Sequence, residues 1–143
     1  MLKLSKKVDY GLILLSRLQH QPEALSARQM AEWQDLPVHM VANILKSLTA
    51  AGILVSTRGA QGGYELARPA RQISLADIVR ALEGPINLMD CTDEEAGCRH
   101  AAYCPTHDPI QNIHRKFQEF MAGYTLDEII GSQRGGPIQF QLG

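Results

Sequence analysis

The chain lacks several things that would place it quickly. In its 143 residues no apolar run approaches the about 20 residues of a membrane span. The stretch from Leu2 to Leu18 is broken by Lys3, Lys6, Lys7, Asp9 and Arg17 and has no small-residue cleavage site, so it reads as neither a signal peptide nor an anchor. The expected location is the cytoplasm, with no membrane partner. There is no Cys-x-x-Cys, no His-Glu-x-x-His, and no Gly-Lys-Ser/Thr after the glycines. A thiol oxidoreductase, a zinc hydrolase and a phosphate-cradling nucleotide enzyme are therefore disfavoured, and the expectation is a protein that is not an enzyme. Internal repeats and low-complexity blocks are missing too.

What is present suits a globular chain, with 45% hydrophobic and 20% charged residues. The net charge of −1 conceals an asymmetry, because residues 1–72 hold nine basic side chains against five acids, and the remainder reverses the balance with five against ten. A basic first half points to a polyanionic partner. Cysteine is scarce but concentrated, with all three thiols, Cys91, Cys98 and Cys104, inside a 14-residue window. An odd cluster of this kind suits metal or redox chemistry better than structural disulfides.

Local signals divide the chain into elements. Ser5 is placed to cap a first helix with Val8, Gly11, Leu12, Leu15 and Leu18 at helical spacing. Ser26 with Gln29 forms a capping-box pattern, flanked by a Leu25–Met30 staple. Pro37 stands at a first helical position, and Val38, Val41, Leu45 and Leu48 define the buried stripe of a third helix that stops at Gly52. Two β-prone runs, Ile53 to Thr57 and Tyr64 to Ala67, flank a glycine-rich tip and predict a hairpin, with Tyr64 packing it onto the third helix. Ser74 and Asp77 repeat the helix-start signature, with Ile73 and Ile78 as staple, and Gly84-Pro85 ends that helix. The segment from Ile86 to Cys104 shows no periodicity. A last long helix carries Ile110, Ile113, Phe117, Phe120 and Tyr124 at spacings of 3, 4, 3 and 4, a heptad-like seam suited to pairing with a second copy, and Thr125 with Glu128 caps a final turn.

The order helix, short helix, turn, helix, hairpin is that of a mostly α, winged helix-turn-helix with a two-stranded wing. The outward face of the third helix offers His39, Met40, Asn43 and Lys46 to base edges in a major groove. The hairpin tip offers Arg58 and Gln61 to a minor groove, and Arg28 on the second helix completes the candidate DNA-binding set. The expected partners are a double-stranded DNA operator and a second copy of the chain. The expected divisions are a DNA-binding domain over 1–84, a cysteine-bearing loop over 85–105, a dimerisation helix and cap over 106–130, and a flexible tail over 131–143.

The cysteine spacing reads Cys91-x6-Cys98-x5-Cys104-x2-His107. Soft thiolates on one loop suit an iron–sulfur cluster, and His107, one helical turn beyond Cys104, is the local candidate for a fourth ligand. A Cys₃His zinc site uses the same donors and stays open.

The wing sequence Arg58-Gly59-Ala60-Gln61-Gly62-Gly63-Tyr64, the start Leu4-Ser5-Lys6-Lys7-Val8-Asp9-Tyr10 and the three cysteines together resemble the Rrf-type winged-helix regulators over nearly the whole chain. Within that family they resemble most the regulators of iron–sulfur assembly operons of the SUF type. The resemblance implies a transcription factor whose operator affinity follows an iron–sulfur cluster. Three cysteines plus a histidine matching His107 imply a two-iron cluster, whereas an aspartate matching Asp9 implies a four-iron cluster completed across a dimer. The six-residue gap between Cys91 and Cys98 departs from the family's usual five, so the ligation geometry stays open.

Overall fold

The computed structural model describes residues 3–131, so the expected tail lies, apart from Gly131, outside the described residues. Helices α1 (Lys6–Gln19), α2 (Ala27–Gln34) and α3 (Val38–Ala50) precede the antiparallel strands β1 (Leu54–Thr57) and β2 (Gly63–Leu66). A 3₁₀ turn (Ala70–Gln72), α4 (Leu75–Glu83) and a second 3₁₀ turn (Asp90–Thr92) lead to the long α5 (His107–Gly123) and the short α6 (Leu126–Ile130). The architecture is the expected mostly helical winged helix-turn-helix.

Three helix starts follow from local chemistry. Ser26 Oγ accepts from the Gln29 N–H at 3.1 Å, and Gln29 Oε1 accepts from the Ser26 N–H at 2.9 Å. Ser74 with Asp77 and Thr125 with Glu128 close the same reciprocal box, satisfying donors that a helix start leaves orphaned. Leu25 and Met30 are both buried, as a staple requires. Asp35 adopts a left-handed conformation (φ 50°) that ends α2 and turns the chain into α3.

Three local expectations are corrected. The Ser5 side chain makes no capping bond; instead its backbone N–H donates to Glu83 Oε1 at 2.8 Å, tying the start of α1 to the end of α4. Pro37 is the residue before α3 rather than its first, and Val38 is 45% exposed. The buried stripe of α3 is Val41, Ile44, Leu45 and Leu48, rotated from the expected one because α3 is held by α1, α2, α4 and β1 together.

The wing pairs Leu54 with Leu66 through to Thr57 with Gly63. Leu25 bonds Tyr64 in both directions, its N–H donating at 3.0 Å and its carbonyl accepting at 2.7 Å, which pins the wing to the entry of α2. A Cβ at Gly63 would run into the Leu25 backbone, so the close approach requires glycine there. Tyr64 is half-buried against the core, and its strand packs on α1 while β1 packs on α3. At the C-terminal end, the Leu75 N–H donates to Tyr124 O at 2.8 Å and the Leu126 N–H to Ile73 O at 2.7 Å. Leu126 is fully buried, so the chain that leaves the core along α5 is stitched back into it at α6.

Candidate DNA interface and cysteine loop

His39, Asn43 and Lys46 stand exposed on one face of α3, opposite the stripe that holds the helix down. Met40 is half-buried against the core, leaving only part of its side chain for contact. Arg28 is exposed in the first turn of α2, and Arg58 and Gln61 are exposed at the wing tip. The tip is compact: Gly59 has φ +117°, and a Cβ at Gly62 would strike the Thr57 carbonyl. A side chain is therefore excluded at Gly62 by contact and disfavoured at Gly59 by backbone conformation.

A groove between α1 and α3 is lined by Lys6, Lys7, Tyr10, His39, Met40 and Asn43. Lys6 and Lys7 thus flank the candidate reading face, where the sequence counted them only as charge. The adjacent lysines were visible, but their proximity to α3 is a tertiary fact.

The three cysteines are free thiols, each partly exposed. Cys91 lies in the second 3₁₀ turn, and its carbonyl accepts from Gln111 Nε2 at 2.7 Å, which fastens this end of the loop to α5. Cys104 Sγ lies 3.3 Å from Thr106 Oγ1. The Thr106 side-chain hydrogen bond first, and then the Thr106 backbone bond, lower the Cys104 thiol pKa; desolvation opposes them, and a backbone bond from His107 adds to the lowering. His107 opens α5 with Nδ1 3.0 Å from Asp108 Oδ1. Cys104 and His107 are therefore near neighbours in the chain at the start of one helix. Among the described residues, however, no three His, Cys, Asp or Glu side chains converge as a metal site. Cys91, Cys98, Cys104 and His107 therefore do not form a ready-made ligand set of three or more, and Asp9 is exposed on α1.

One residue of α5 was passed over in the sequence. His114 is 5% exposed, and neither ring nitrogen has a hydrogen-bond partner. It falls at helical spacing from Ile110, Phe117 and Met121, the pattern that marks an inward face. The outward face carries Ile113, Phe120 and Tyr124 at 53%, 62% and 44% exposure, with the Phe120 and Tyr124 rings 5.8 Å apart. Phe117 is half-buried and lines an apolar groove of about 390 Å³ with Leu75, Val79 and Met121.

Residues 4–132 match the model of the Rrf2 family, described as an iron-dependent transcriptional regulator. The chain is 30% identical over 130 residues to the HTH-type transcriptional regulator CymR of Bacillus subtilis, covering 89% of this chain and 94% of that one. It is 32% identical over 125 residues to the protein rrf2 of Nitratidesulfovibrio vulgaris, covering 83% of each. Among solved structures, CymR, the global cysteine regulator of B. subtilis, aligns with a TM-score of 0.69 at 30% identity over 93% of this chain and 99% of that one. IscR of T. potens aligns with a TM-score of 0.68 at 27% identity, covering 95% and 94%. The family and the CymR relative are transcriptional regulators, not enzymes. Among the described residues no helix is long and apolar enough to cross a membrane. The chain belongs to the Rrf2 family and is a transcriptional regulator built on a winged helix-turn-helix.

Proposed function

We propose that this regulator binds a two-fold operator as a homodimer, and that an iron–sulfur cluster held by Cys91, Cys98, Cys104 and His107 sets its affinity. The observation that carries the reading is the donor set itself: three unpaired, partly exposed thiols and a histidine at a helix start, in a family described as iron-dependent. The donors suit the group chemically. Cys98 and Cys104 lie between Asp93 and Thr106, where there is no helix or strand, so these two can be drawn toward Cys91 and His107 without breaking regular structure. Bound there, the cluster would supply a centre that responds to iron supply and oxidation.

The chain's own residues supply the coupling. The Gln111–Cys91 bond fixes one end of the loop to α5, and Cys104 and His107 fix the other. A loop ordered between them bears on α5, whose exposed Ile113, Phe120 and Tyr124 form the seam toward a second copy. Two heads so spaced present Asn43 and Lys46 to the major groove and Arg58 and Gln61 to the minor groove of each half-site. In this reading the divisions are 1–84 for DNA, 85–105 for the cluster and 106–130 for dimerisation. The protein works in the cytoplasm, on genes of iron–sulfur assembly or related stress.

A cluster-free, thiol-sensing reading draws on two facts: among the described residues no three candidate ligands converge, and the Cys104 thiol ionises more readily than usual. Similarity to a global cysteine regulator adds to it. An absorption spectrum after anaerobic purification separates the readings. Visible iron–sulfur bands are expected, altered by His107→Ala and unchanged by Asp9→Ala. The reverse pattern moves the fourth ligand to Asp9 and a cluster shared between subunits. A colourless protein containing zinc makes the site structural, and a colourless metal-free one leaves thiol sensing.

A further inference from the structure

The start of α1 is held by a bond that its own sequence does not signal. Glu83 closes α4, where a carboxylate stands at the negative end of its own helix dipole. Its Oε1 accepts from the Ser5 N–H at 2.8 Å, so the same charge lies at the positive end of α1. The arrangement is unfavourable for α4 and favourable for α1. A residue that breaks the rule of its own helix to serve another marks a long-range constraint. Ser5 makes no side-chain cap, and its carbonyl accepts from the Val8 and Asp9 N–H groups to begin the helix. Glu83 therefore fixes the residue on which the first turn of α1 is built.

That first turn carries Lys6 and Lys7. Both are exposed, and among the described residues neither stands in a salt bridge. They line the groove between α1 and α3 with Tyr10, His39 and Asn43, and among the described residues no acid lines it. Two unpaired ammonium groups beside the candidate reading face suit a phosphodiester, the group that places a protein on a duplex. Glu83 lines a different groove, the apolar one shared with Leu4, Phe117 and Phe120, so its charge stays out of the phosphate's seat.

We infer that Glu83 is a positioning residue for DNA binding, holding the first turn of α1 so that Lys6 and Lys7 grip a backbone phosphate beside the major groove. The inference rests on the DNA-binding part of the proposed function and not on the cluster. The lysines supply the charge, and the Ser5–Glu83 bond supplies their place.

The test is a titration of the full-length protein, over a series of salt concentrations, with a duplex that the wild type selects from a random pool. All variants are compared below their unfolding midpoints. Lys6→Ala and Lys7→Ala are each expected to weaken binding several-fold and to reduce the salt slope by about 1, as losing one phosphate contact implies. Glu83→Leu removes the acceptor and is expected to do the same with both lysines present. Glu83→Gln keeps an oxygen for the Ser5 N–H and is expected to restore both affinity and slope. In the Glu83→Leu background, Lys7→Ala is expected to cost little more, because the contact is already lost. Fully additive losses there, or a Glu83→Gln variant as weak as Glu83→Leu, overturn the positioning role. Unchanged slopes in both lysine variants overturn the phosphate grip. If Asn43→Ala and Arg58→Ala weaken binding while these variants do not, this inference alone fails. If the wild type selects no duplex, the DNA-binding reading fails with it.

Discussion

The residues before Gly84 and those between Pro85 and Gly123 spend their apolar side chains differently. In the first stretch Val8, Leu14, Leu15, Ile44, Leu45, Leu48, Ile73 and Ile78 are all at or below 1% exposure, and two helices open with complete capping boxes. In the second, Met89, Tyr103, Ile113 and Phe120 are more than half exposed, and Met121 is the apolar side chain of that stretch that joins the buried core. The first region is explained by its own contacts. The second holds three free thiols and a row of outward hydrophobics that the core of the described residues leaves largely uncovered, which fits the proposed role of this region as a surface for partners outside the chain.

The largest effect that sharpens this contrast is on stability. Leu45→Ala empties a fully buried site and is expected to cost about 2–5 kcal/mol in denaturant unfolding. Cys98→Ser in the metal-free protein replaces a half-exposed thiol in irregular chain and is expected to change stability by under about 0.5 kcal/mol. A comparable loss from both would mean that the loop is part of the folding core. Phe120→Glu is expected to leave the unfolding midpoint of the isolated subunit nearly unchanged, because the ring is exposed, while light scattering shows monomer. A persistent dimer would place the seam elsewhere.

On the DNA side, Arg58→Ala is expected to weaken operator binding by about 1–3 kcal/mol at matched salt without altering the fold. Equal affinity in a gel-shift titration would remove Arg58 from the interface. A smaller pair tests the helix starts: Ser26→Ala loses a bonded cap and is expected to cost about 1 kcal/mol, whereas Ser5→Ala loses no side-chain cap bond and should cost almost nothing. Equal losses would contradict the bonding pattern.

That pair also shows how far sequence carried. Capping boxes at Ser26, Ser74 and Thr125 join residues three positions apart, so local order contains all of their partners. Ser5 bears the same kind of signal, yet its partner, Glu83, is 78 residues away. The period of α3 was legible, but its rotation was not, since Val38 and Ile44 are interchangeable apolar letters until neighbouring helices choose between them. His114 was unreadable for the opposite reason, a polar letter in an apolar position. At the candidate site, the exposure of Asn43, Lys46 and Arg58 was legible because surface helix faces and wing tips are local geometry. The nearness of Lys6 and Lys7 to Asn43, and the failure of three candidate ligands to converge among the described residues, depend on packing that no spacing rule encodes.

The smallest expected effect lies within the cysteine segment, where sequence affects chemistry rather than fold. Cys104 is held toward its thiolate first by the Thr106 hydroxyl, 3.3 Å from Sγ, then by backbone N–H groups of Thr106 and His107. The thiolate is the nucleophile, so a lowered pKa keeps alkylation fast at a pH where an ordinary thiol is mostly protonated. Thr106→Val keeps the shape, removes the hydroxyl and leaves both backbone bonds. The alkylation profile of Cys104 in the metal-free protein, followed by peptide mass spectrometry with iodoacetamide, is therefore expected to move to higher pH and to be slower near neutrality. The shift should be partial, because two of the three favourable causes remain. Unfolding should not change, since the Thr106 hydroxyl makes no helix cap. Coincident profiles would show that Thr106 does not tune the thiol, and a loss of stability would show that it belongs with the first region after all.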